Sequence, residues 1–520
     1  MRDTTITYLV LGVVVAVFVW DYLPVAAVAL GTALTLWATG VLTLDQALAG
    51  FGDPTVIFIA SLFVVSEALD ATGITAWLGQ ALIDRAGDSR TRVLVLTLLL
   101  VAVLTALISV NGSVAALLPV VAVMAVRLRR SASQLMMPLA FGAHAGSLLT
   151  LTGSPVNVIV SQAAADAGVG RFGYFEFAVV GVPLVVGTIA FVVVFAERLL
   201  PSRKVRAATR DFSNLARTLV DQYALDEDPE ALVSRRSGLA EVVVPPRSAL
   251  IGETVFSGMV TDSGDLAVMA IQRKGEDVSG ETKLAVGDTM VLRGTWGALE
   301  YHLDDPELLV VDEPRMVRRQ AVPFGPGAWR TMVVLAAMVV LLATGAVPPA
   351  VAGLLAAGAI VVTRVLTIDQ AYRGIAWTTV ILVAGMIPLS TAMTETGAAH
   401  DLADALVDTI GDLGPHWLLL GLVVLTMVLG QLISNTATAL IVIPIAVSAA
   451  AELDVSPKPM LMAVCVAAAA SFLTPVATPA NLMVMEPGGY RFGDYWKLGL
   501  PLLALFGVVA VFLVPVIWSF

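Results

Sequence analysis

"SLLTLTGSPVN" (147–157) and "SFLTPVATPAN" (471–481) are two versions of one phrase, one in each half of the chain. Each sets hydroxyls, a proline and a final asparagine into apolar surroundings. The offset in numbering is 324, and at that same offset "TLDQALAG" (43–50) falls on "TIDQAYRG" (367–374), and "SEALDATG" (66–73) on "STAMTETG" (390–397). Asn111 falls on Asn435, and the register runs without a gap from Asp45 to Asn157. "RFGYF" (171–175) then meets "RFGDY" (491–495) after a four-residue shift. Shared helical bias does not keep identities in step over such a length, so the chain carries an internal duplication.

Outside these phrases the two halves are apolar. The chain has 520 residues, 58% of them hydrophobic. Runs at 5–20, 23–40, 176–197, 328–345 and 499–519 reach the roughly 17–25 residues a helix needs to cross a bilayer. The first run is not a signal peptide on this reading: its only basic residue is Arg2, and a second span follows at once. The single cysteine, Cys465, excludes an intrachain disulfide or a thiolate cluster. A net charge of −11 gives no reason to expect a nucleic-acid polymer as partner. Between the halves, residues 205–315 are charged and turn-rich. Residues 211–233 read as a helical lead-in, and 241–255, 265–276 and 286–295 as strands. The expected division is a first membrane repeat at 1–200, a cytoplasmic segment at 201–324 and a second repeat at 325–520.

Basic residues orient the halves. Arg85, Arg90 and Arg92 precede the apolar segment 93–126, and Arg127, Arg129 and Arg130 follow it. Both ends therefore belong inside. The segment is two spans or a re-entrant hairpin, and the polar "SVNGS" (109–113) at its middle favours a hairpin tip. The equivalent segment, 415–450, is flanked by Asp401, Asp404, Asp408, Asp412, Glu452 and Asp454, with only Lys458 opposing, which places its ends outside. The repeats are then inverted, each with five transmembrane helices plus a hairpin. Arg203, Lys204, Arg206 and Arg210, then Arg315, Arg318, Arg319 and Arg330, bracket the inserted α/β domain as cytoplasmic. Both termini are expected outside the cell membrane.

Inverted repeats with broken helices mark secondary transporters. Each half has a tip ("SVNGS"; "QLISNTATALIVIP", 431–444) and a helix break ("TGSPVN", 152–157; "ATPAN", 477–481). Pro155 and Pro479 free upstream carbonyls. Carbonyls with Ser, Thr and Asn oxygens suit a hard cation, sodium, and half-helix N-termini favour an anion. A lone Ser or Thr in a membrane helix more often bonds a neighbouring helix. Asn111, Asn157, Asn435 and Asn481 are favoured for the site because each lies at a break and pairs across the repeat.

These motifs resemble the divalent anion/sodium symporter family, which carries sulfate, di- and tricarboxylates. "SNTATA" (434–439), "ATPAN" (477–481), "GSPVN" (153–157) and "EPGGYRFGDYWKLGLP" (486–501) carry the resemblance, over roughly 400 residues. It implies an elevator-type homodimer. It implies one cation site from Ser109, Asn111 and the Gly153 carbonyl beside Asn157. A second would use Ser434, Asn435, a carbonyl near Ile433 and the Ala477 carbonyl beside Asn481. Substrate would lie near Asn111, Gly112, Ser113, Ser154, Pro155, Asn435, Thr436, Thr478 and Pro479. The first tip departs from the family, reading Val110-Asn111-Gly112 where Ser-Asn-Thr is expected, with Ser109 and Ser113 flanking; its ligand set stays open. Pro119 also lies one residue closer to Asn111 than Pro444 to Asn435. Residues 237–310 resemble the C-terminal ligand-binding module of TrkA-type potassium-transport regulators, which implies a nucleotide-type ligand or a dimerising brace.

Other polar residues weigh less. His144 reads as a buried core histidine rather than a proton-coupling group. Asp21 and Glu67 read as interfacial, His302 as part of the inserted domain, and His400 and His416 as outer-loop residues. The expected function is sodium-coupled symport of a divalent anion such as sulfate or a C4-dicarboxylate. Sodium is the only cofactor-like species, as a co-transported ion. A cation/proton antiporter would need a buried Asp pair, which the sequence lacks. An anion channel or sensor would show no cation dependence. No nucleophile–base constellation suggests an enzyme.

Overall fold

Thr43 and Gln46 close a reciprocal helix cap: the Thr43 hydroxyl accepts the Gln46 N–H at 3.3 Å, and Gln46 Oε1 accepts the Thr43 N–H at 2.9 Å. Thr367 and Gln370 repeat it in the second half, at 3.2 and 2.9 Å. The pattern Thr-x-x-Gln before an apolar run is a helix-start signal, and here it has been copied with its geometry.

The structure is a computed structural model. It describes residues 2–20, 23–86, 89–127, 131–203, 219–220, 222–223, 232, 234, 237–261, 263–278, 280–303, 307–312, 324–325, 327–410, 414–475 and 477–520. Asp21, Arg129, Arg130, Lys204, Arg206, Arg210, Arg315, Arg318, Arg319, Asp412 and most of 211–233 lie outside these. Two units form: 1–69 with 81–208 and 329–520, and 70–80 with 209–328.

The large unit is helical. Its first half contains α1 (Arg2–Trp20), α2 (Val25–Ala38), α3 (Leu44–Leu48), α4 (Pro54–Ala71), part of α5 (Ile74–Ala86), α6 (Arg90–Leu107), α7 (Val110–Arg127), α8 (Met136–Gly146), α9 (Pro155–Asp166) and α10 (Ala178–Leu199). Between the halves in sequence, the described residues of the small unit include α11 (Trp296–His302). The second half runs through α12 (Ala328–Thr344), α13 (Pro349–Val362), α14 (Ile368–Gly374), α15 (Trp377–Glu395), α16 (Ala398–Ile410), α17 (Pro415–Leu429), α18 (Asn435–Glu452), α19 (Pro457–Ala469), α20 (Pro479–Met485) and α21 (Tyr495–Val508), which continues through a π turn to Ile517. The two series match one for one. α13 and α16 have the bounds of α2 and α5, displaced by the offset of the repeated phrases. Among the described residues each half thus holds five longer helical segments, one of them broken, and one helical pair, besides the short capped helix (α3, α14) and the 13-residue α5 and α16.

Seven helical stretches among the described residues are long and apolar enough to cross a membrane. Their outward faces carry large apolar side chains, such as Leu9 (65% exposed), Phe512 (65%) and Val516 (80%), which in water would have no counterpart. The legs α6, α7 and α18 have 18 residues each and α17 has 15. At 1.5 Å per residue the long legs span about 27 Å, so both paired segments are deeper than a short re-entrant loop.

The tips correct the gapless register. The Ser109 hydroxyl accepts the Gly112 N–H at 3.2 Å, and the Ser434 hydroxyl accepts the Ala437 N–H at 3.3 Å. Each serine is therefore the cap of its helix, and the two caps stand at an offset of 325, one more than the phrases. α7 and α18 share bounds at that larger offset, and Pro119 and Pro444 each lie ten residues beyond their cap. The breaks return to an offset of 324. One residue is thus gained before the tip and lost after α18. Asn111 is the structural counterpart of Thr436, not of Asn435, and a one-residue step on a helix turns a side chain by about 100°.

In the small unit, β1 (Ser237–Val243), β3 (Leu266–Arg273), β4 (Glu276–Asp277), β6 (Thr289–Thr295) and β7 (Leu309–Val310) form one antiparallel sheet in the order β4-β3-β6-β1-β7. β2 (Thr254–Val255) and β5 (Thr282–Lys283) pair separately. Val242, Val268, Met290, Leu292, Trp296 and Leu299 pack into its core. Gly238 is required there, because a Cβ would sit 2.1 Å from the Trp296 ring. Asp288 is fully buried and takes two hydrogen bonds from Arg273, at 2.8 and 2.7 Å, and one from the Ala285 N–H at 2.8 Å. Arg273 and, secondarily, that N–H hold the Asp288 carboxyl below the usual carboxylate range against the opposing effect of burial.

Candidate ion and substrate site

Each helix break is closed by its own asparagine. Asn157 Nδ2 donates to the Ser147 carbonyl at 2.7 Å and the Thr150 carbonyl at 2.8 Å. Asn481 Nδ2 donates to Ser471 at 2.7 Å and Thr474 at 3.1 Å. The four acceptors are the repeat equivalents of one another. A proline at the first helical position frees carbonyls upstream, and a buried unpaired carbonyl is costly. Both asparagines are fully buried and satisfy two such groups each.

Their oxygens are met from the opposite half. Cys465 Sγ donates to Asn157 Oδ1 at 3.2 Å. His144 Nε2 lies 3.3 Å from Asn481 Oδ1 and 3.2 Å from Thr478 Oγ1. Because the Asn481 amide nitrogen is committed to two carbonyls, its oxygen faces the imidazole, which makes Nε2 the protonated nitrogen. His144 Nδ1 is buried without a hydrogen-bond partner. His144 also packs edge-on against Phe472, 5.7 Å between centroids. The expected core histidine is buried, but it also joins the two breaks.

Each tip is tied to its own break. Thr150 and Thr152 hydroxyls both donate to the Ala106 carbonyl at the end of α6, at 2.6 and 3.1 Å. Around the second tip, Gln431 Nε2 donates to the Ala470 carbonyl at 3.0 Å, and Gln431 Oε1 accepts the Leu473 N–H at 2.8 Å. The Thr474 hydroxyl donates to the Gln431 carbonyl at 3.2 Å. Ser471 donates to Asn435 Oδ1 and, at 3.2 Å, to the Gly430 carbonyl. Gly153 lets the first break close tightly: a Cβ there would lie 2.3 Å from the Ser147 carbonyl oxygen.

The residues expected at the site divide by exposure. Ser113, Gly153, Ile433, Thr436, Ala477 and Thr478 are buried, as are Asn157 and Asn481. Ser109, Gly112, Ser154, Pro155, Ser434 and Asn435 are half-buried, and Asn111 and Pro479 are exposed. The Ser113 hydroxyl turns back to the Ser109 carbonyl at 2.7 Å, and the Ser154 hydroxyl caps α9 by accepting the Val156 N–H at 3.2 Å. Thr438 Oγ1 is buried and unpartnered. Sequence reading passed over Ser471 and Thr474, although both stand in the opening phrase. Gln431 gave no repeat signal, since its counterpart is an apolar residue.

Two adjoining cavities, about 180 and 410 Å³, form a cleft between α9, α15 and α18. Gln162, Asp166, Ser390, Thr391, Glu395 and Ser448 give it a polar lining. None of the expected substrate residues lines it.

A family model described as a citrate transporter matches residues 15–454 and 406–520. The chain belongs to that citrate transporter family. The uncharacterized transporter YfbS of Escherichia coli (strain K12) is 30% identical over 98% of both chains. The probable sodium/sulfate cotransporter 3 of Chlamydomonas reinhardtii is 27% identical over 57% of this chain and 34% of its own length. The solved YdaH transporter of Alcanivorax borkumensis is 15% identical, with a TM-score of 0.46 over 98% of this chain and 99% of that one. This member of the citrate transporter family is a multi-pass membrane transporter with a small inserted sheet region.

Proposed function

We propose that the protein is a sodium-coupled symporter of a small multivalent oxyanion, with sulfate or a C4-dicarboxylate as substrate. The observation that carries this is the paired architecture: two tips, each tied to its own break, and two breaks joined through Asn157–Cys465 and Asn481–His144. Such a core moves as one body, which an elevator motion needs. The N-termini of α7, α9 and α18 bring positive dipole ends to this core, where an anion is favoured. Hard-cation ligands come from the Gly153 and Ala477 carbonyls, the carbonyl near Ile433, and the Ser109, Asn111, Ser434 and Asn435 oxygens. Asn157 and Asn481 act here as positioners, because their amides are committed to the breaks. The names of the Chlamydomonas relatives support sodium and sulfate; the family description supports a carboxylate.

In this reading the molecule is a homodimer with its inserted domain in the cytoplasm, where that domain binds a regulatory ligand. The cleft beside α15 separates the moving core from the static helices. The test is uptake of labelled sulfate, succinate and citrate into proteoliposomes, with and without an inward sodium gradient. Sodium-driven uptake of one anion, reduced at least tenfold by Asn435→Ala, is expected. Uptake indifferent to both sodium and Asn435 would overturn the proposal.

A further inference from the structure

Helix α16 presents His400 and Asp404 one turn apart, and both face Glu452, the last residue of α18. His400 Nδ1 lies 3.4 Å from Asp404 Oδ1 and 3.7 Å from Glu452 Oε2. One ligand atom from each residue falls within 4.8 Å of the others. Donors around a tetrahedral ion with bonds of about 2.0–2.2 Å stand about 3.3–3.6 Å apart. The three atoms are therefore close to a coordination triangle without moving the backbone.

Two further facts separate this trio from an ordinary surface cluster. Asp404 Oδ1 is buried, yet it has no hydrogen-bond partner, although its residue is only half-covered. Glu452 ends α18, where the helix dipole is negative and an acidic group is disfavoured. Two carboxylates and a helix C-terminus thus converge on one imidazole. A cation bound between them relieves the repulsion and gives the buried oxygen a partner.

We propose that His400, Asp404 and Glu452 bind a divalent transition-metal ion such as Zn²⁺. An imidazole nitrogen with two carboxylates suits zinc, while calcium and magnesium prefer all-oxygen shells. Three protein ligands leave a fourth position for water. The bound ion joins α16 to the outer end of α18, the helix that starts at Asn435.

The test uses full-length protein stripped with a chelator and titrated with Co²⁺, whose visible bands report tetrahedral coordination. One Co²⁺ per chain is expected, displaced by Zn²⁺ but not by millimolar Mg²⁺ or Ca²⁺. His400→Ala and Glu452→Gln should each weaken binding at least tenfold, and His416→Ala should leave it unchanged. The trio residues are exposed or half-exposed, so these variants keep the fold, which a thermal melt checks. Binding equally strong in His400→Ala and Glu452→Gln would overturn the proposal. So would the absence of visible bands at millimolar Co²⁺, or a loss confined to His416→Ala. The readout needs no transport activity.

Discussion

Asn481 is one side chain with three jobs: its amide closes two freed carbonyls and its oxygen meets His144. Asn481→Ala strands the buried Ser471 carbonyl, at a cost of about 1–3 kcal/mol, and the part-buried Thr474 carbonyl. The variant should lose about 2–4 kcal/mol of stability, read as a lower melting temperature, and Asn157→Ala should behave alike. His144→Leu, which keeps the volume but removes the link, should cost less than Asn481→Ala. In the inserted sheet the decisive residue is Asp288, whose carboxyl Arg273 holds low. A lowered acid contributes stability in full above its unfolded value, near pH 4, and loses it as pH falls through the folded value. The calorimetric midpoint of this unit should therefore drop between pH 5 and pH 2.5 in the native chain. It should drop less in Arg273→Ala.

At the scale of elements, the break before α9 depends on close approach of backbone. Gly153→Ala puts a methyl group against the Ser147 carbonyl and should destabilise by about 1–3 kcal/mol. Sodium-dependent uptake should fall with it, while Ala477→Gly in the second break should change stability by less than half as much. Most elements were legible in the sequence. The two Pro-x-Asn breaks follow from local chemistry, and β3 and β6 lie within the expected 265–276 and 286–295. The expected strand at 241–255 does not hold as one: β1 begins earlier, at Ser237, and ends at Val243, and the chain turns before β2 at 254–255, because Pro245 and Pro246 cannot donate to a ladder. The tip register was not legible. Asn111 and Asn435 match by identity, but helix caps set the true alignment, and a cap is a hydrogen bond to a backbone three residues on. The partners of Asn157 and Asn481 were also hidden, because they are carbonyls whose direction exists only after the helix breaks.

At the scale of the molecule, the cleft between α9, α15 and α18 could not be read beforehand: its walls come from distant segments, α9 in the first half of the chain and α15 and α18 in the second. If the basic flanks orient the chain as expected, its mouth at Asp166, Glu395 and Ser448 faces outward. Ser448→Cys should then react with a membrane-impermeant maleimide added to intact cells. The unaltered chain should not, since Cys465 is fully buried. Labelling of Ser448→Cys only after the membrane is opened would reverse the orientation.

The crossed links at the breaks also bear on how the chain is made. Asn157 finds its thiol 308 residues later, and His144 finds Asn481 after 337. At about 5–20 residues per second, the ribosome needs roughly 15–70 s to supply those partners. For that interval the first half stands in the bilayer with a buried amide oxygen and an imidazole unanswered. It is a half-built enclosure that water or an assembly factor must serve. Neither half is complete as a folding unit, so the two made as separate chains should be degraded alone and survive together.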